Sequence, residues 1–125
     1  MKISKKIFVR KMVEKMIEKV FKMSQEDKTV VEKLILEDDI HYINMVFTKG
    51  KGLPLHYSNA VVHMTVVRGK LSITLGDQDT KVYEAGTLLR IPFNVKMNVR
   101  NEHDETLGLI VVKAPGPKVP VEYVR

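Results

Sequence analysis

The sequence predicts an all-β domain, a sandwich or barrel of short strands. Two observations carry that prediction. From about Thr29 onward, short β-branched and apolar runs recur at regular spacing, several with polar residues at alternate positions. Turn residues punctuate those runs, at Arg68-Gly69, Gly76-Asp77, Ala85-Gly86, Phe93-Asn94 and Asn101 to Glu105. At 125 residues the chain suits one domain with a real core and is too short for two.

Composition narrows the class. Apolar residues make up 44% and charged residues 29%, which fits a globular chain and not a disordered one. No apolar run approaches the ~18 residues of a membrane span. The basic start, Met1 to Lys6, runs into further charges, so no secretory leader is expected. Cysteine is absent, which removes disulfides and thiolate ligands and leaves cytoplasmic as the expected location. The net charge of +6 is local: residues 1–23 hold eight Lys and Arg against Glu14 and Glu18, and the remainder balances.

Taken in order, residues 3–21 place Val9, Met12, Val13, Met16, Ile17, Val20 and Phe21 on one apolar stripe at helical spacing. Lys11, Lys15 and Lys19 line the opposite face, and Glu18 to Lys22 is a supportive i,i+4 pair. A second reading starts a strand at about Ile17, with the residues before it as an arm. The expected organisation is a basic N-terminal extension over residues 1–16, a short helix or arm, and a barrel over 17–125. Ser24 to Lys28 is a polar turn. Strands follow at about 29–36, 40–48, 54–57, 61–68, 70–76, 79–84, 87–91, 95–100 and 106–113. The Pro-rich end, Ala114 to Pro120, cannot join a central strand and reads as an extended tail.

Two spacings give this pattern a relative. Gly86, Pro92 and Asn101 stand in Gly-x5-Pro-x8-Asn order, and His56 and Gly69 follow a leading turn glycine, Gly50 or Gly52. These resemble the two motifs of the cupin superfamily, Gly-x5-His-x-His-x3–4-Glu-x6-Gly and Gly-x5-Pro-x-Gly-x2-His-x3-Asn. The resemblance covers roughly residues 17–117 and implies a single-domain cupin jelly-roll β-barrel of the RmlC-like kind. Cupins usually hold a metal with three histidines and a glutamate of these motifs. Here His56 alone is in register: Ser58, Val62 and Met97 stand at the other positions, and Asn94 replaces a turn glycine. One imidazole, a hydroxyl, an isopropyl group and a thioether do not make a Zn²⁺, Fe²⁺ or Mn²⁺ site.

The resemblance therefore implies a degenerate metal site, no metal and no cofactor, and a non-catalytic role. That role is binding a small, partly apolar ligand in the barrel, or serving as a dimeric assembly unit. The expected pocket is His56, Ser58, Val62, Met64 and Met97, with the imidazole as polar contact and the methionines as adaptable apolar wall. The alternative is a metal-dependent cupin enzyme, of oxygenase or isomerase type, using His56 and His63. Strand parity opposes it, because His63 is one residue past the glutamate position and faces the other way. His41 and His103 fall on an early strand and a polar turn, with nothing in the sequence to bring them to His56. A homodimer is expected through the outer face of one sheet, with Ile40 to Thr48 as a contact strand. Nucleotide-binding glycine loops, a nucleophile elbow and inward carboxylate pairs are all missing from the sequence. Nucleic acid is not an expected partner of the barrel, since its few aromatics fall inside strand patterns. A third reading makes the basic residues 1–22 a tether to nucleic acid or acidic lipid.

Overall fold

The computed structural model describes residues 15–124, and in them the chain is all β, with two five-stranded antiparallel sheets facing each other. The first sheet runs β1 (Val30–Leu36), β2 (His41–Phe47), β9 (Leu107–Lys113), β4 (Val62–Arg68) and β7 (Leu88–Ile91). The second runs β10 (Glu122–Tyr123), β3 (His56–Tyr57), β8 (Lys96–Arg100), β5 (Lys70–Leu75) and β6 (Lys81–Glu84). Consecutive strands repeatedly cross from one sheet to the other, which is the jelly-roll order.

The alternation read from the sequence is what closes the sandwich. Ile43, Met45 and Phe47 of β2, Val62, Met64 and Val66 of β4, and Leu107, Leu109 and Val111 of β9 point inward. They meet Leu71 and Ile73 of β5 and Met97 and Val99 of β8. Each such side chain taken out of water contributes about 1.5–3 kcal/mol, so this shared core is the main stabilising term. Gly69 joins β4 to β5 with φ 72°, and a Cβ there would lie 2.4 Å from the Thr106 carbonyl oxygen. Asn94, standing in for a turn glycine, adopts φ 63°, a conformation asparagine tolerates.

Two expectations are corrected or extended, and a third lies almost wholly outside the described residues. No strand begins at Ile17: residues 15–29 form no ladder, and the first strand starts at Val30. Phe21 and Met23 instead share an apolar hollow on the outer face of the first sheet with Leu34, Ile35 and Tyr42. Glu32 fixes this segment, accepting from the Ser24 amide at 2.7 Å and from Asn44 Nδ2 at 2.9 Å. Those two bonds, the Ser24 amide first, hold the Glu32 carboxyl below its ordinary value. Of the segment's apolar side chains only Phe21 and Met23 reach this hollow, each still nearly half exposed, while Ile17 is fully exposed. The Pro-rich tail is extended, as expected, but ends in β10, which pairs with β3 at a sheet edge. The helix or arm expected over residues 1–16 lies outside the described residues apart from Lys15 and Met16.

One end of the barrel is closed by a single amide. Asn101 is fully buried; its Nδ2 donates to the Phe47 and Glu105 carbonyls at 2.9 Å, and its Oδ1 accepts from the His103 amide. Its backbone bonds Gly50 and Lys51. Asn101→Ala should leave those buried groups unpaired and cost about 2–3 kcal/mol, read as a lower urea midpoint at an unchanged slope.

Candidate functional site

The opposite end stays open. There β2 and β9 meet at the His41 and Lys113 register pair, and the sheets part to leave a cleft of about 580 Å³. Its size is that of a small-molecule site. Ile43, Met45 and Leu53 form an apolar floor, and the tail residues Pro117, Val119 and Pro120 form a wall. The tail is held there by named bonds. Asn59 Nδ2 donates to the Val119 carbonyl at 3.0 Å, the Gly116 amide donates to Asp38, and the Val124 amide donates to Leu55. Gly116 sits so close that a Cβ would lie 2.7 Å from the Glu37 carbonyl oxygen.

His56 lies on β3 opposite Met97 on one side and Tyr123 on the other, so its ring faces the barrel interior. Its Nδ1 is 2.8 Å from the Pro54 carbonyl and therefore carries the hydrogen, which leaves Nε2 as an acceptor. The Tyr123 ring stands beside it, with centroids 6.5 Å apart.

Of the five residues singled out from the sequence, His56 alone lines this cleft. Val62, Met64 and Met97 are packed within the core cluster, each at most 3% exposed. Ser58 is buried and its hydroxyl is engaged twice, donating to the Pro92 carbonyl at 2.6 Å and accepting from the Val95 amide at 2.8 Å. The Asn94 amide donates to the Ser58 carbonyl. Two departures from the cupin motifs thus serve the β7–β8 turn: the Ser58 hydroxyl ties both its sides, and Asn94 supplies its left-handed residue. His63 pairs with Arg90 and Val112 on the opposite face of the first sheet from the cleft, and it does not line the cleft.

These positions test whether the residues fit a cupin metal. The serine is spent on backbone groups, the valine offers no donor, and the thioether is buried among apolar side chains. Among the described residues, no three His, Asp or Glu converge as a metal site would require. The donor set does not fit.

Two groups that the sequence reading passed over do line the cleft: Lys33 and Lys113. Lys113 continues the inward row Leu107, Leu109 and Val111, so its parity was available in the sequence. It is half-buried, and its Nζ donates to Asn59 Oδ1 at 2.7 Å. Burial and then the nearby Lys33 charge push its amine below the ordinary lysine value. His41, also inward, completes this polar end.

Fold and site together define a jelly-roll barrel whose metal-ligand positions have been given over to packing and turn bonds. No family model matches the chain. A curated, uncharacterised protein of Methanocaldococcus jannaschii is 41% identical over 104 residues, 82% of this chain and 90% of the relative. The crystal structure of an RmlC-like cupin family protein with a double-stranded β-helix fold, from the same organism, superposes with a TM-score of 0.80. It is 39% identical over 82% of this chain and 95% of that one. The chain belongs to the RmlC-like cupin family. A cupin-like protein of Thermotoga maritima has a TM-score of 0.72 at 19% identity, over 86% and 89% of the two chains. The DMSP lyase of Ruegeria pomeroyi has 0.68 at 14%, over 78% and 52%. These last two likenesses concern the fold. No helix among the described residues is long and apolar enough to cross a membrane.

If Ser58 holds the turn, Ser58→Ala should cost about 2 kcal/mol of unfolding free energy, measured by chemical denaturation. The same variant should leave the affinity of any cleft ligand unchanged.

Proposed function

We propose that this protein is a non-catalytic cupin that binds a small, partly apolar molecule in the cleft between its sheets. The observation that carries the reading is the cleft itself: a ligand-sized hollow, walled by a bonded tail, with one imidazole nitrogen free to accept. The other three positions that would hold a metal supply no free donor, since Ser58 is spent on backbone groups and Val62 and Met97 are packed in the core. That argues against metal-assisted chemistry. An enzyme working through His56 and His63 would need both rings on one face of the barrel. A cytoplasmic setting is proposed with it, in keeping with the cysteine-free sequence.

A screen of metabolites by thermal shift tests the reading. Some compound should raise the melting temperature of the wild type, and His56→Ala should reduce that rise by at least half. Uniformly flat responses would remove the proposal. Protein purified without chelator should carry well under one equivalent of any transition metal; a stoichiometric metal lost on His56→Ala would favour the enzyme instead.

The assembly role is favoured by a separate observation. On the outer face of the first sheet, Val67 and Leu88 are 52% and 62% exposed beside Ile110 and Val112. Residues 23–25 already cover Asn44 and Val46 of β2, so a second copy is proposed to dock on β4 and β7, not on Ile40 to Thr48. Leu88→Glu should convert a dimer to monomer in light scattering; a wild-type monomer at high micromolar concentration would end this reading.

A further inference from the structure

The polar end of the cleft has one sign of charge. Lys33 of β1 and Lys113 of β9 both point into it, with the His41 ring between their strands, and no Asp or Glu side chain among the described residues lines it. An inward lysine is costly on a barrel strand where its ammonium loses water without a counter-charge, as at the half-buried Lys113; Lys33 stays exposed. Lys113 has one neutral partner, Asn59 Oδ1, for three donors. Lys33 faces the same space from β1, the edge strand of the same sheet, so the two charges repel. The groups around this end are therefore cationic or neutral: Lys33, Lys113, His41, His56, Asn59 and Tyr123.

We infer that the cleft takes an amphipathic organic anion, its head at Lys113 and Lys33 and its apolar body along Ile43, Met45 and Leu53. This rests on the cleft being a ligand site and adds the chemical class. An anionic head supplies the counter-charge that the protein withholds, and the donors left on Lys113 reach it directly. The apolar floor adds selectivity for a short hydrocarbon or aromatic body over a free inorganic ion. The depressed basicity of the Lys113 amine agrees with a cation that lacks its partner.

Calorimetric titration of the full chain with hexanoate, hexyl phosphate and hexanamide, at matched ionic strength, tests the class. The three probes share a tail and differ in the head. One anion should bind at least about tenfold more tightly than the amide, the worth of a charge-assisted bond. Lys113→Met should abolish that preference while leaving hexanamide within about twofold, and Lys33→Met, on the more exposed strand, serves as the second variant. The ratio of the two anions separates a carboxylate head from a phosphate head. Equal affinity for anion and amide in the wild type would overturn the anionic class and leave the cleft reading standing. No heat from any of the three, together with a flat metabolite screen, would overturn both.

Discussion

The structure depends on one constraint: inside a two-sheet barrel, every inward position closed off from water must be apolar or fully bonded. Asn101 meets it at the closed end. Its amide satisfies three backbone groups from β2 and from the loop that leads to β9, and its own backbone holds the turn at Gly50 and Lys51. A buried polar group so completely paired costs little and fixes where three chain segments meet. With that end tied, the strands can diverge only at the other, and that is where the cleft lies.

The ligand positions of the family show the same constraint from another side. A site that holds a cation needs several inward polar atoms, each expensive unless a metal is bound. Here those positions carry a valine, a methionine and a serine that bonds only backbone. The interior near Met97 and Val62 is consequently ordinary core. Methionine suits the irregular space at this depth of the barrel, since its unbranched chain adapts to its neighbours. Ser58 and Asn94, the other departures, both serve one turn, the serine through its hydroxyl and the asparagine through its left-handed backbone.

Much of this was legible in the sequence. Nine strands, the turn glycines and the left-handed Asn94 follow from period-2 alternation and from residues with special backbone freedom, both local properties. The outward direction of His63 followed from parity alone. What was not legible depends on where segments pack. The stretch from Ile17 to Met23 has strand composition, yet it forms no ladder: only its last apolar residues, Phe21 and Met23, reach the outer sheet face beside Leu34 and Tyr42. The two-residue pairing of Glu122 and Tyr123 with β3 arises from the tail being anchored by Asn59 and Gly116, contacts distant in sequence. Strand parity points Met64 and Met97 inward but does not say whether the barrel is filled at that depth, and both are packed in the core.

Lys113 makes the sharper point about reading such chains. In the row Leu107, Leu109, Val111, Lys113 the last member breaks an apolar pattern, and a strand end is the usual excuse for such a break. The bland outcome would have the side chain turned to water. Instead Asn59 holds the amine inside, and the same Asn59 holds the tail through Val119, so the lysine and the wall of the cleft are positioned by one amide. Removing the charge from solvent while bracing the surface that encloses it is a poor arrangement for stability alone. It makes sense if the enclosed space is there to receive a group of opposite sign.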